Sequence, residues 1–373
     1  MIPARYIVHR FRIGRDKLLL FGYFIGWIVT GTVLLSLPAA QRGNPLPAID
    51  ALFTATSAVC VTGLATVDTT SFTRFGQFVI LLLIQAGGLG IITFATMYLF
   101  LPRTHVSVIT RRFAGDYTVP GIEFRTRRLV GAILGSTILF ELAGMLFAMP
   151  SVLGAGYGIF DALFHAVSAF CNAGFSTFRG GMQAFRNDVV MNLNTMILIV
   201  AGGLGFVVMQ DLMKVIRKEK LHLAYHSSVV LRTTGFLLIV GWAGFLVTEW
   251  THAYRTFPVP IRVLAALFQS VTPRTAGFDT VAQASLSSAG QLLTMFLMLI
   301  GASPASTGGG IKTTTFYLVM MVAFRFREGR DFVRDHGRKI APSAIYKAMA
   351  IIIRAMMIIS LGALTLLLAE RSR

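Results

Sequence analysis

The chain has 373 residues, of which 55% are hydrophobic and only 13% are charged, and its mean hydropathy is +0.70. A water-soluble domain carries about 25% charged residues, so the composition excludes a soluble protein and predicts a polytopic membrane protein. The formal net charge of +18 would suit a nucleic-acid partner, but the positions of the basic residues indicate membrane topology instead. We therefore expect no nucleic-acid partner.

Seven apolar runs are long enough to cross a membrane. They lie at about 18–38, 76–101, 129–150, 189–213, 230–250, 289–324 and 345–369. Before the first run and in every second connector there are 23 Lys and Arg residues, against 7 in the remaining connectors. The positive-inside rule produces this asymmetry, so the sequence predicts a cytoplasmic N-terminus and basic cytoplasmic loops. Such loops are also suited to contact anionic membrane lipid.

A segment of similar sequence occurs three times, each time between two apolar runs. It reads ALFTATSAVCVTGLATV from Ala51, ALFHAVSAFCNAGFSTF from Ala162 and ALFQSVTPRTAGFDTV from Ala266. Each copy joins a short amphipathic stretch to a small-residue turn around one glycine. A short helix and glycine turn between two spans are typical of a pore loop, and several such loops around one axis build an ion filter.

The three turns offer backbone carbonyls to a cation. A glycine reaches positive φ without steric cost, which lets consecutive carbonyls face one way, and the C-terminal end of a short helix favours a cation. Removing water from a cation is costly, so the filter has to replace the hydration shell with oxygens. The candidate filter residues for K⁺ are Val61, Thr62, Gly63, Leu64, Asn172, Ala173, Gly174, Phe175, Thr275, Ala276, Gly277 and Phe278.

The sixth apolar run is interrupted by small and polar residues. A helix does not continue undisturbed through Pro304 and the glycines at 308–310, and irregular backbone at membrane depth occurs where protein buries it or water bathes it. The segment is therefore predicted to line a cavity. Its residues are Gly301, Ala302, Ser303, Pro304, Ala305, Ser306, Thr307, Gly308, Gly309, Gly310 and Lys312.

Lys312 is an intramembrane cation, which is expensive to bury and usually faces a polar interior. Below a cation filter it would act as an electrostatic and steric plug. The alternative is a side chain that reaches the cytoplasmic interface. The string GGGIKTTT around it is not a phosphate-binding loop, because Ile311 separates the glycines from the lysine.

The string AGGLG occurs twice, at 86–90 and 201–205. Its small residues predict close packing of helices. The same string matches half of a dinucleotide-binding fingerprint, but no strand precedes it and the required acidic residue does not follow.

Other polar residues favour structural roles. Cys60 and Cys171, at equivalent positions in two copies, are predicted to be small buried residues behind each loop. His165 is interpreted as a packing or hydrogen-bonding residue, and Glu141 and Glu249 as hydrogen-bonding residues of the bundle. The histidines show no metal-ligand spacing and no nucleophile–base set is arranged on one segment, so an enzyme is not expected.

The segments TATSAVCVTGL, SAFCNAGFSTF, SVTPRTAGFDT and GASPASTGGGIKTTTF, in this order, resemble the Trk/Ktr/HKT superfamily of cation transporters. The resemblance is greatest to the Ktr-type potassium-translocating membrane subunit and covers nearly the whole chain. It implies an all-α polytopic membrane protein of four span–pore loop–span units with pseudo-fourfold symmetry, similar to the pore domain of voltage-gated channels. It also implies that Gly63, Gly174 and Gly277 are filter glycines and that residues 301–315 form an intramembrane gating loop.

The same resemblance implies a function and partners. Glycine rather than serine at the first filter position resembles the potassium-selective members, with sodium as the alternative transported ion. A homodimer on a cytosolic ring of nucleotide-binding regulatory subunits is implied, in the bacterial inner membrane. Nucleotide would act only through that partner. A sodium or poorly selective pathway and a non-conducting scaffold are the other hypotheses.

The predicted organisation is as follows: a cytoplasmic N-terminus (1–17), pore unit 1 (18–101), a linker (102–128), pore unit 2 (129–213), a linker (214–229), pore unit 3 (230–324), a linker (325–344) and the first span of unit 4 (345–373). About 3.25 of four units are expected, with the remainder of unit 4 missing. We expect that three filter strands alone do not close a filter.

Overall fold

A computed structural model describes residues 15–43, 45–100, 126–325, 334–335 and 338–371. The α-helices of these ranges are α1 (Arg15–Ser36), α2 (Ala48–Val59), α3 (Arg74–Phe100), α4 (Thr126–Gly154), α5 (Ile159–Phe170), α6 (Val189–Leu204), α7 (Phe206–Ile216), α8 (Tyr225–Glu249), α9 (Val259–Val271), α10 (Ser288–Leu299), α11 (Thr313–Arg325) and α12 (Pro342–Arg371). The strands β1 (Arg334–Asp335) and β2 (Arg338–Lys339) pair as a short antiparallel hairpin. The predicted N-terminal segment and most of the first linker lie outside the described residues.

Among the described residues, five helices are long and apolar enough to cross a membrane: α1, α3, α4, α8 and α12. They confirm five of the predicted runs. A continuous helix satisfies its own backbone hydrogen bonds, which is what a segment surrounded by lipid requires.

The two other predicted runs are not continuous helices. The run at 189–213 bends by 106° between α6 and α7, at Gly205, whose φ is +86°. The apolar pattern of this run did not predict the bend. The run at 289–324 is broken as predicted, because residues 300–312 are not helical. The irregular part is shorter than the predicted 301–315, since residues 313–315 form the first turn of α11.

Three helices of 12 or 13 residues, α2, α5 and α9, lie between longer ones and lead into the glycine turns. The second of them, α5, is central to the largest hydrophobic core, and its residues from Asp161 to Phe170 are buried except Leu163. The turn that follows α5 is thereby held inside the bundle.

The hairpin is attached to two helices through one buried carboxylate. Asp335 accepts hydrogen bonds from the hydroxyls of Tyr225 (2.6 Å) and Tyr317 (2.8 Å) and from the guanidinium of Arg325 (2.7 Å). Asp335 is fully buried, so these contacts connect the start of α8, the helix α11 and the hairpin.

Candidate functional site

The three glycine turns meet one another. A Cβ atom added to Gly63 would lie 2.6 Å from the carbonyl oxygen of Ala173 and 3.2 Å from the Cα of Gly174. One added to Gly174 would lie 2.9 Å from the carbonyl oxygen of Ala276 and 3.0 Å from the Cα of Gly277. Backbone therefore contacts backbone, with no room for a side chain. The structure brings together three segments that are more than a hundred residues apart in sequence.

Each of the first two turns ends its helix with the same pair of hydrogen bonds. In the first, the amide of Val61 donates to the carbonyl of Ala58 (3.2 Å) and that of Thr62 donates to Ser57 (2.8 Å). The corresponding bonds of the second turn are 3.1 Å and 2.8 Å long. This pairing is the Schellman motif, which places one residue in the left-handed region. The chain thus leaves both helices in the same direction.

Positive φ recurs at every second residue of the turns. The glycines have φ of +80°, +72° and +81°, and the residues two positions before them, Val61, Asn172 and Thr275, have φ of +54°, +59° and +71°. The left-handed conformation costs an L-residue about 1–2 kcal/mol. Strain of this kind is concentrated at functional sites, where the surroundings hold it in place.

Hydroxyl groups hold the second and third turns to their helices. Ser168 Oγ donates a 2.7 Å hydrogen bond to the carbonyl of Phe175, and Thr272 Oγ1 donates to that of Phe278. Both phenylalanines are buried, whereas Leu64, at the corresponding position of the first turn, is 62% exposed. The corresponding serine of the first copy has no hydrogen-bond partner among the described residues. The first turn is therefore less constrained.

The loop at residues 300–312 contacts the second and third turns. Asn172 Nδ2 donates a 2.8 Å hydrogen bond to Thr307 Oγ1, which itself donates to the carbonyl of Phe170 (3.2 Å). The amide of Gly309 donates to Thr275 Oγ1 (3.0 Å). The residues predicted as filter and as gating loop are thus direct neighbours.

The 300–312 loop also fits into the bend between α6 and α7. The amide of Ser303 donates to the carbonyl of Gly203 (3.0 Å), and the amide of Phe206 donates to that of Ala305 (3.0 Å). A Cβ at Gly205 would clash with a carbonyl oxygen of the loop. The bend therefore provides hydrogen-bond partners for backbone groups of the loop, which is not helical.

The two AGGLG strings pack as predicted. A Cβ on Gly87 would clash with the carbonyl oxygen of Val59, and one on Gly202 with that of Phe170. Each glycine lets a long helix contact the C-terminal end of a short helix. The small residues thus confirm the predicted close packing.

Two basic side chains donate hydrogen bonds to carbonyls of the 300–312 loop. Lys312 is half-buried and its Nζ donates a 2.7 Å hydrogen bond to the carbonyl of Gly308. Arg274, which the charge count placed in a connector between spans, is instead only 7% exposed and donates to the carbonyl of Gly301 (3.3 Å). Sequence reasoning missed Arg274, although its place directly before the third filter candidate was a signal.

The prediction that both cysteines are buried holds only for the second. Cys171 Sγ lies 3.7 Å from an amide oxygen of Gln85 and 4.0 Å from a carboxylate oxygen of Glu141, and it is buried. Cys60, directly after the end of α2, is exposed. Gln85 also donates to Glu141 (3.1 Å), so the predicted bundle role of this carboxyl group is confirmed.

Two further polar residues have the predicted structural roles. His165 Nε2 lies 2.8 Å from Thr195 Oγ1, and its ring packs against aromatic side chains that include Phe178. Glu249 is fully buried and accepts hydrogen bonds from the amide and hydroxyl of Ser287, at the start of α10. Both residues join neighbouring helices.

Apolar spans that enclose polar, non-helical loops define a polytopic, all-helical membrane protein. The chain belongs to the family described as TrkH cation transport protein, whose profile matches residues 19–366. It is a member of a transporter family and not an enzyme.

Relatives and a solved structure agree with this assignment. The chain is 37% identical over 355 residues to the potassium/sodium uptake protein NtpJ of Enterococcus hirae, covering 92% of this chain and 76% of that protein. It is 36% identical over 366 residues to the Ktr system potassium uptake protein B of Bacillus subtilis, covering 95% and 80%. The crystal structure of the potassium transporter TrkH from Vibrio parahaemolyticus matches with a TM-score of 0.72 at 21% identity, covering 91% of this chain and 69% of that one.

Proposed function

We propose that this chain is the potassium-translocating membrane subunit of a Trk/Ktr-type uptake system. One observation carries the proposal: the turns at Gly63, Gly174 and Gly277 meet backbone to backbone, with positive φ at alternate residues. The names of two relatives, a potassium/sodium uptake protein and a Ktr system potassium uptake protein, support the choice of ion.

In this proposal the four residues around each glycine form the filter. Alternate positive φ directs successive carbonyls to one side, so that their oxygens replace the hydration shell of K⁺. The C-terminal ends of α2, α5 and α9 add partial negative charge. The hydroxyl bonds from Ser168 and Thr272 keep two of the strands in register.

The 300–312 loop is the proposed gate. It bonds to the second and third turns and holds two basic side chains against its own carbonyls. An ion that leaves the filter has to displace this loop, and Lys312 adds repulsion for a cation while the loop is closed.

The proposal includes the organisation implied by the resemblance. The units are arranged with pseudo-fourfold symmetry in the bacterial inner membrane, with the N-terminus and basic connectors in the cytoplasm. The subunit forms a homodimer on a cytosolic nucleotide-binding ring. A partner that binds the hairpin would act on α11 through Asp335, which accepts hydrogen bonds from two side chains of that helix. The helix α11 directly follows the gate.

Flux measurements test the proposal. Because three filter strands alone are not expected to close a filter, the test uses a protein with all four span–pore loop–span units. In liposomes with its cytosolic partner, this protein is expected to pass K⁺ faster than Na⁺. Deletion of residues 305–310 is expected to raise K⁺ flux, because the gate is shortened. A folded protein that passes no cation under any condition would overturn the proposed function.

A second candidate is a sodium or poorly selective cation pathway, which the potassium/sodium name of one relative favours. Equal K⁺ and Na⁺ fluxes in the same liposomes would favour this candidate over potassium selectivity.

A further inference from the structure

Arg274 is a buried cation at the junction of the third turn and the 300–312 loop. It directly precedes Thr275 and is 7% exposed. Its Nη2 donates a 3.3 Å hydrogen bond to the carbonyl of Gly301. Its Nε is buried and has no partner among the described residues. The side chain therefore connects a proposed filter strand to the first residue of the proposed gate.

No carboxylate neutralises this guanidinium within the part of the chain that the structure describes, where the ion pairs involve other residues. Burying an unpaired charge costs several kcal/mol, and neutral side chains of similar length would fill the same space. An ionisable group buried inside a membrane protein is by default a candidate functional residue.

Lys312 acts on the same loop from its other end. The loop doubles back on itself, since the amide of Ala302 donates to the carbonyl of Gly309 (3.1 Å). Arg274 bonds to one side of this turn, at Gly301, and Lys312 bonds to the other side, at Gly308. Two cations thus occupy carbonyl oxygens that would otherwise be free to bind a permeating ion.

A small cavity lies beside Arg274. Its other lining residues are Ile199, Val200, Gly203, Val271 and Ala302. The space suits roughly one water molecule. Among these residues only Arg274 is charged, so the guanidinium borders a small space with mostly apolar walls.

We propose that Arg274 is a positioning residue that holds the gate closed by binding the Gly301 carbonyl from the third filter strand. The inference rests on the proposed function of the 300–312 loop as a gate. It adds a specific contact between filter and gate, made by a side chain whose hydrogen bond goes to the Gly301 carbonyl of the loop.

The test compares Arg274→Gln, Arg274→Lys and, as a matched control, Arg262→Gln. Arg262 also donates to backbone carbonyls only, at Trp250, Arg255 and Phe257, but does not contact the loop. One readout is K⁺ and Na⁺ flux in liposomes without the cytosolic partner. The other is the rate of thiol labelling of Ser306→Cys, a position that is 1% exposed, in a Cys60→Ala background.

Loss of a hydrogen bond from a charged group shifts the equilibrium between the closed and the open loop by roughly tenfold. Arg274→Gln is therefore expected to raise both K⁺ flux and labelling about tenfold, with the ratio of K⁺ to Na⁺ flux unchanged. Arg274→Lys is expected to restore low values, and Arg262→Gln to leave them low.

Labelling and flux equal to the parent protein in folded Arg274→Gln would overturn the inference, as would a changed ion ratio without faster labelling. If Arg274→Gln does not fold, Arg274→Met takes its place, because its unbranched apolar side chain fills similar space without donating a hydrogen bond. Faster labelling in Arg274→Met than in Arg262→Gln supports the inference, and equal labelling overturns it. A parent protein that passes no cation even with its cytosolic partner contradicts the proposed function, whereas the labelling comparison still tests the contact.

Discussion

The amide of Asn172 donates a 2.8 Å hydrogen bond to the hydroxyl of Thr307, 135 residues away in sequence. Asn172 lies in the second glycine turn and Thr307 lies in the 300–312 loop. The same hydroxyl donates to the carbonyl of Phe170, at the end of α5. One buried threonine therefore joins loop, turn and helix, and the loop cannot leave the turn without breaking both bonds.

Thr307→Val is expected to raise K⁺ flux in the absence of the cytosolic partner. Valine keeps the shape of threonine but leaves the Asn172 amide without its shortest bond, which costs about 1–3 kcal/mol in the closed arrangement. Flux in liposomes measures the effect, with Thr307→Ser as the control that keeps the hydroxyl. Equal flux in the two variants would contradict a role for this bond in closure.

Gly63→Ser is expected to reduce the ratio of K⁺ to Na⁺ flux. Its Cβ would lie 2.6 Å from the carbonyl oxygen of Ala173, so the first two turns have to separate. Gly156→Ser is a matched control, because its φ of +83° is nearly the same as the +80° of Gly63 but no atom lies within 4 Å of an added Cβ. Both changes carry a backbone strain of about 1–2 kcal/mol. Unchanged selectivity in Gly63→Ser would count against the filter assignment.

Gly205→Ala is expected to lower the thermal stability of the detergent-solubilised protein by more than about 2 kcal/mol. The positive φ disfavours alanine, and its Cβ would clash with a carbonyl of the 300–312 loop. Gly203→Ala is the control, since its added Cβ would meet Ala302 at an ordinary 3.7 Å. Similar stability of the two variants would show that the bend tolerates a different backbone conformation.

Asp161→Asn is expected to lower stability at neutral pH by about 1 kcal/mol. The buried carboxylate accepts two bonds from the guanidinium of Arg74, at 2.5 and 2.9 Å. Because the Arg74 side chain is 54% exposed, solvent weakens this pair. Asp50→Asn is the matched control: Asp50 occupies the same position in the first copy and has no ion pair among the described residues.

The stabilisation by Asp161 also predicts a pH dependence. Burial raises the pKa of this carboxyl group, but the hydrogen bonds from Arg74 and the Gly158 amide outweigh burial and hold the pKa below its usual value. The contribution is therefore complete above the unfolded-state pKa, about 3.9, and is lost as the pH falls through the folded-state pKa. Thermal unfolding between pH 7 and pH 3 should converge for the parent and Asp161→Asn. A constant difference across this range would contradict the ionic origin.

Much of the architecture could be predicted from local sequence. A run of about twenty apolar residues has few alternatives to a membrane-spanning helix, which is why five runs coincide with single helices. The break in the sixth run was predictable too, because Pro304 and consecutive glycines disfavour a helix whatever surrounds them. The small residues of AGGLG predicted close packing, although not against which helix end.

Other features depended on contacts that no local pattern encodes. The bend at Gly205 was missed because a glycine in an apolar run is equally compatible with a straight helix, and its conformation is decided by the loop that packs against it. The Lys and Arg count placed Arg274 in a connector between spans. Its side chain is instead buried, with a hydrogen bond to the Gly301 carbonyl. Cys60 and Cys171 share one sequence environment and differ in exposure because only the second has α3 and α4 packed over it.

The sequence by itself determined the membrane class, the spans and the three glycine turns, since apolar length and backbone permissiveness are properties of neighbouring residues. Only the tertiary structure decided that the three turns meet, that the interrupted sixth run lies against two of them, and that Arg274 and Lys312 bind its carbonyls. Some of these relationships join residues that are more than a hundred positions apart in the sequence. Their geometry follows from which backbone groups lack a partner in their own helix and find one in another.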